Sequence, residues 1–270
     1  LLNAINSIEV NKSSIILTYS SVPGLRNAIE STKDRYKALR DDLALLSDPA
    51  LVRLYYEHIC NFNSSNYGIG QESVGYYLDA AFTFAEKRSG VSKAPVEENK
   101  AALLALAIFL GSYRFDTVIG ALDKETLAKC QPQERKILLA NRSDLRLHFI
   151  FSAALKIISD SGTSFVIGEF KELLDTQRGG SGFSFADLAA DRAGIRFAEL
   201  ALDKKGALRV QKIASQLRQE ERFFPSIIGL PEGIPQSLFD KHGGIESEYY
   251  KNHLTEIDKR INAIELYQVN

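Results

Sequence analysis

Residues 101 to 110 read Ala-Ala-Leu-Leu-Ala-Leu-Ala-Ile-Phe-Leu, and what this run is decides the class of the molecule. Ten apolar residues without a break fall well short of the ~20 that span a bilayer. Alanine and leucine favour helix, so the run reads as a helix buried on all sides in a helical protein. Glu97 to Tyr113 frames it as one helix.

Working outward, the same period recurs. Leu25, Ile29, Tyr36, Leu39, Leu43 and Leu46 fall at helical spacing. Ser47-Asp48-Pro49 is a start signal, a capping residue followed by proline in the first turn. It opens a helix through Leu51, Leu54, Tyr55, His58 and Ile59, and Asn61 to Gly70 reads as loop. Gln71 to Lys87 is an aromatic-rich helix stopped by Gly90, and Ser89 to Val96 is the best linker of the first half. Two helices flank Pro132. Further helices fall near Asp144–Ser159, Ser164–Thr176, Phe185–Leu202 and Lys204–Arg222. Phe224 to Gly244, rich in proline and glycine, is irregular, and Glu246 to Ile264 closes the chain as an amphipathic helix. Ile8 to Ser20 is β-branched and reads either as a short strand or as a helix entry. The expected fold is all-α, an irregular multi-helix bundle or array. Its parts are an N-terminal helical region (1–95), a central core (96–222) and an irregular segment with a C-terminal helix (223–270), in one continuous domain.

The 270 residues are 45% hydrophobic and 25% charged, with a net charge of −1. That balance lacks the concentrated basic face a polyanion partner requires, so nucleic acid is not an expected partner. The chain has no transmembrane run. It begins Leu1-Leu2-Asn3 and contains no methionine, so a segment is expected to precede Leu1, with room for targeting information. Cys60 and Cys130 match no metal or redox spacing; two buried thiols are expected slightly ahead of one disulfide.

The densest polar stretch is Asp144-Leu-Arg-Leu-His148-Phe-Ile-Phe-Ser152-Ala-Ala-Leu155, then Gly168-Glu169-Phe-Lys171-Glu172-Leu-Leu-Asp175, then Ser184, Asp187, Asp191 and Gly194. His148 and Ser152, four apart, share a helix face. Short connections would bring these faces together. Two chemistries fit. His148, Glu172, Asp175 and Asp191 suit a divalent metal that activates water; alternatively His148 is a general base with Glu172 and Asp191 as its carboxylate partners. Ser152, Lys171, Ser184 and Asp187 would support them. A plainer reading competes: Ser184-x-x-Asp187 is close to a capping box, and Asp191-Arg192 suits ion pairing between packed helices. Gly179-Gly180-Ser181-Gly182 lacks the strand and lysine of a nucleotide loop and reads as a turn. His242, beside Gly243-Gly244, reads as a helix stop, and His58 and His253 have no acidic or cysteine partner at ligand spacing. The pairs Tyr55-Tyr56, Tyr76-Tyr77 and Tyr249-Tyr250 read as core edge rather than as a carbohydrate groove.

This order, a helix with histidine, a helix with Lys-Glu, then Ser-x-x-Asp-x-x-x-Asp-x-x-Gly, resembles uncharacterised bacterial envelope proteins, including small predicted lipoproteins of the YfiM type. It is similar, more distantly, to VanZ-like membrane proteins linked to glycopeptide resistance. The match covers about a fifth of the chain, at His148, Ser152, Lys171, Glu172, Asp175, Ser184, Asp187, Asp191 and Gly194. Arg146, Lys156 and Asp160 depart from a membrane-embedded form. The resemblance implies the bacterial cell envelope, periplasm or periplasmic face of a membrane, and no settled activity. The expected function is a non-catalytic helical protein binding an envelope protein or cell-wall component; the alternative is a metal-dependent or acid–base hydrolase acting on an envelope lipid or glycan.

Overall fold

The computed structural model describes residues 5–10, 15–19, 47–65, 73–112, 116, 120–130, 137–159 and 182–268. The chain forms two compact units, Leu1–Asp42 and Leu43–Asn270. In the first, β1 (Ile5–Val10) pairs antiparallel with β2 (Ile15–Tyr19), with Ile8 opposite Leu17 and Val10 opposite Ile15. Of the two readings open for this β-branched stretch, the strand is the one formed.

The second unit is helical, and the fold is all-α. Its helices are α1 (Pro49–Ser65), α2 (Val74–Ser92), α3 (Pro95–Leu106), α4 (Lys124–Lys129), α5 (Ser143–Ser159), α6 (Phe185–Leu202), α7 (Gly206–Lys212), α8 (Gln236–Lys241) and α9 (Glu248–Ala263). Their starts follow from local chemistry. Asp48 Oδ1 accepts from Ala50 N at 2.9 Å ahead of Pro49, and Ser73, Asp123, Ser184 and Ser247 each accept a first-turn N–H of α2, α4, α6 and α9. The 101–110 run is buried throughout. It begins as α3 and ends in a π-helical turn, Ala107–Gly111. Gly111 lies against Phe151 of α5.

The centre of the core is aromatic. Phe149 of α5 packs with Phe197 of α6 and with Phe223 and Phe224 from the chain after α7. Helix α6 supplies the complementary small face, with Ala186, Ala189, Ala190, Ala193, Ala198 and Ala201 fully buried. Gly194 is the point of closest approach: a Cβ there would stand 2.1 Å from the carbonyl oxygen of Phe149 and 3.2 Å from Ala153 N. Only a glycine lets α5 and α6 touch backbone to backbone at that level.

Several boundaries differ from the sequence reading. The α1 helix runs through Asn61 to Ser65, because buried Asn63 accepts from the Tyr77 hydroxyl at 2.8 Å and tertiary contact outweighs local polarity. Gly90 does not stop α2; the helix ends two residues later, where Lys93 adopts φ 57° and donates its N–H to Ser89 O. The linker expected at Ser89–Val96 is thus reduced to Lys93 and Ala94. The continuous helix expected over Lys204–Arg222 is instead α7 followed by two 3-10 turns, Ala214–Arg218 and Glu220–Arg222. The irregular stretch from Phe224 contains the short helix α8, which His242 terminates. Of the two helices expected to flank Pro132, the first is α4; residues 131–136, and the helices expected over 25–46 and Ser164–Thr176, lie outside the described residues.

No helix among the described residues is long and apolar enough to cross a membrane. The cysteine expectation is corrected: Cys60 and Cys130 form a disulfide, their Cα atoms 5.7 Å apart. The pairing was hidden because it depends on docking α4 beside α1, across 70 residues of chain.

Candidate functional site

The closest-packed pair of helices carries the polar constellation. Close approach at Gly194 fixes the phase of α6 on α5. The residues one and two turns before it, Asp191 and Asp187, then face His148 and Ser152. The imidazole Nδ1 of His148 lies 3.0 Å from Asp191 Oδ1, and the Ser152 hydroxyl donates to the same oxygen at 2.8 Å. The other ring nitrogen, Nε2, stands 3.6 Å from Asp187 Oδ2. His148 and Ser152 are both buried, whereas the Asp191 side chain keeps 26% of its surface open.

Asp187 links this centre to a second cation. Its Oδ1 accepts from Arg142 Nη2 at 3.3 Å, and the same guanidinium pairs with Asp144 at 2.6 Å and with Glu232. Arg142 reaches there from a tight turn in which Ala140 and Asn141 take left-handed φ values of 49° and 62°. Glu232 is brought in by the irregular segment: Phe183 and Ile234 exchange backbone hydrogen bonds, and Phe185 N donates to Pro231 O at 2.9 Å. The chain of contacts is therefore Ser152, Asp191, His148, Asp187, Arg142, then Asp144 and Glu232. Glu232 and Arg142 carry no motif, and only the Arg142-Ser-Asp144 run beside a helix start hinted at a charged pair.

The electrostatics are uneven along this chain. Burial pushes the Asp187 carboxyl above its ordinary range; His148 opposes this, Asp144 adds to it, and Arg142 and the Ser184 hydroxyl oppose it. At the other end, the hydrogen bond from Arg142 holds Asp144 below the usual carboxylate range, and the same bond is the largest reason the guanidinium is held above its own.

Each expected site residue can now be placed. His148, Ser152, Asp187 and Asp191 converge. Ser184 caps α6, accepting from Asp187 N at 3.1 Å, so the serine half of the expected capping box is present. The aspartate half is not used as in a capping box, because the Asp187 carboxylate turns to Arg142 and His148. Arg192 forms a two-pronged ion pair with Asp258 of α9, at 2.6 and 2.7 Å. Glu172, Asp175 and Lys171, expected as ligands or supports, lie outside the described residues. Among the described residues there is no group of three histidine, cysteine or acidic side chains arranged to hold a metal ion.

Chemically, the arrangement orients an imidazole between two carboxylates. It does not build a serine nucleophile: Ser152 donates its proton to Asp191, not to a ring nitrogen, and the histidine–serine hydrogen bond that activates a hydroxyl is replaced by a shared acceptor. Comparison of the chain with models of protein families, with curated proteins and with solved structures finds no match.

Proposed function

We propose that this is a non-catalytic helical protein of the bacterial cell envelope that binds an envelope protein or a cell-wall component. One observation carries the non-catalytic part: Asp191 accepts from both His148 and Ser152, so the polar groups are spent on joining α5 to α6. A buried polar network whose members are mutually paired specifies one packing of its helices. The Cys60–Cys130 disulfide supports an oxidising compartment outside the cytoplasm, and the resemblance to YfiM-type and VanZ-like envelope proteins points the same way.

The test is binding of the oxidised protein to purified peptidoglycan, together with cross-linking in intact envelopes. Saturable retention or a discrete cross-linked species is expected, and Asp191→Asn should bind as the wild type does at temperatures where it is folded. A monomer retained by neither overturns the reading.

A second reading rests on Asp187. A carboxyl raised by burial beside an imidazole is an arrangement that acid–base hydrolases use, and Asp191 is open to solvent on one side. In this reading the protein is a hydrolase of an envelope lipid or glycan, metal-dependent or acid–base, with His148, Asp191 and Glu172 at the reacting centre and Asp175 as a further metal ligand. The discriminating measurement is metal content of chelator-free protein, wild type beside His148→Ala, paired with hydrolysis assays of Asp191→Asn. Metal or turnover lost in the variants, with the fold intact, selects this reading; a change in thermal stability alone selects the first.

A further inference from the structure

We propose that the Cys60–Cys130 disulfide is a reducible staple, opened by a dithiol, that holds helix α4 on α1 and lets it go while the aromatic core stays folded. The inference stands on the geometry of α4 and does not depend on what the protein binds.

Helix α4 has six residues, far below the length at which a helix is stable in water by itself. It therefore persists only because something holds it, and its own apolar burial is slight. Of the side chains described from Ala121 to Cys130, Thr126 alone is buried. Among the contacts of the described residues, three run from this segment to α1 in a row. Arg53 pairs with Asp123 at 2.7 Å, the Tyr56 hydroxyl donates to the carbonyl oxygen of Cys130 at 2.6 Å, and Cys60 is bonded to Cys130. Residues 53, 56 and 60 rise along one stripe of the helix.

The three are unequal. The Arg53–Asp123 pair is well exposed on both sides, and such pairs contribute little. The Tyr56 hydrogen bond is a single contact to a carbonyl that is itself fixed by the disulfide. The covalent bond is thus the dominant tether. Within the segment, Asp116 Oδ1 accepts from Ala121 N and Leu122 N at 2.9 Å, and Asp123 caps α4. These contacts shape the segment without fastening it to α1. The core helices are held differently, by complete burial of Phe149, Phe185, Phe197 and the α6 alanines.

Opening proceeds by ordinary exchange. A thiolate of the dithiol attacks one sulfur, forming a mixed disulfide and releasing one cysteine thiol. The second thiol then resolves the mixed disulfide and releases the other. The dithiol is oxidised to a disulfide, and Cys60 and Cys130 are reduced, with two electrons and two protons transferred. Cys130 is the more open of the two residues. The surface released is the stripe of α1 around Tyr56 and Cys60.

The experiment is amide hydrogen exchange on the whole protein, oxidised and after treatment with a small dithiol and alkylation. On reduction, residues 120–130 are expected to exchange at least about tenfold faster and to become far less protected than α5 and α6, which remain folded and exchange only through global unfolding. A lysine-specific protease should then cut at Lys124 and Lys129 in the reduced form only. Unchanged exchange over 120–130 overturns the proposal, because α4 would then be held without the staple. Collapse of α5 and α6 protection to the level of 120–130 also overturns it, because the core would then not stay folded without the bond. The Cys60→Ser/Cys130→Ser variant should show the reduced pattern without dithiol; should it fail to fold, the reduction experiment on the native chain decides alone.

Discussion

At Asp187, His148, Arg142 and the Ser184 hydroxyl oppose the burial of the carboxylate, and burial wins. The sign follows directly. A folded-state pKa raised above the unfolded one means that ionisation is harder in the native protein. The associated stability is fully present below the unfolded pKa and is lost as pH rises through the folded one. At neutral pH the charged Asp187 therefore opposes folding. Asp187→Asn is expected to be no less stable than wild type at pH 7 in thermal unfolding, and any advantage should shrink as pH falls into the carboxylate range. Destabilisation at pH 7 with no pH dependence would show that Arg142 and His148 outweigh burial. Asp191 acts through hydrogen bonding: its Oδ1 is the shared acceptor for a hydroxyl and an imidazole N–H, and Asp191→Ala removes that acceptor from both buried donors, a loss of about 3 kcal/mol readable in chemical denaturation.

Among the elements, α5 and α6 illustrate how backbone contact decides where side chains meet. Side chains normally hold packed helices about 8–10 Å apart, and the alanine face of α6 with Gly194 lets its backbone reach that of α5. A methyl group at 194 would meet the Phe149 carbonyl at 2.1 Å, and backbone cannot swing aside as a side chain can. Gly194→Ala is expected to cost about 3 kcal/mol and to separate the helices, weakening the His148–Asp191 contact in the same step. The joint readout is the unfolding midpoint together with the imidazole resonances of His148. Elsewhere, single polar residues tie neighbouring elements together. Asn99 Nδ2 of α3 donates to Ala201 O at 2.9 Å and Ala207 O at 3.1 Å, bridging the end of α6 to α7, while Gln211 reaches Ser89 at 2.9 Å and Asn99 at 2.7 Å. These three polar side chains are buried, so their pairing fixes how α2, α3 and α7 register.

For the molecule as a whole, the Cys60–Cys130 link encloses α2, α3 and the π turn in a 70-residue loop. Cross-linking a loop of that length removes conformational entropy from the unfolded chain worth about 4 kcal/mol. Replacing both cysteines by alanine should lower Tm by roughly 10 °C when scanned in oxidising buffer, and the wild type scanned with reductant should match the variant. Equal Tm values with and without reductant would mean that the unfolded chain gains nothing from the bond. The two effects of the disulfide are separable, since the first acts on the unfolded state and the second on the native attachment of α4.

Much of the fold was legible from residue pattern. Helical period, the Asp48-Pro49 start, the Ser184 cap and the all-apolar 101–110 run each depend on neighbours within a turn or two, where backbone geometry alone dictates which side chains meet. The same logic placed His148 above Ser152 and Asp187 below Asp191, so half of the candidate site could be drawn before any helix was packed. The partner across the interface came from packing instead. Asp191 rather than another acid receives His148 because Gly194 fixes the phase of α6. Glu232 joins Arg142 because Phe183 and Ile234 pair across half a hundred residues, and Cys60 finds Cys130 because α4 lies along α1. The interruption of Lys204–Arg222 into 3-10 turns belongs to the same class. Each of these depends on contacts between segments distant in sequence, which propensity and periodicity do not encode.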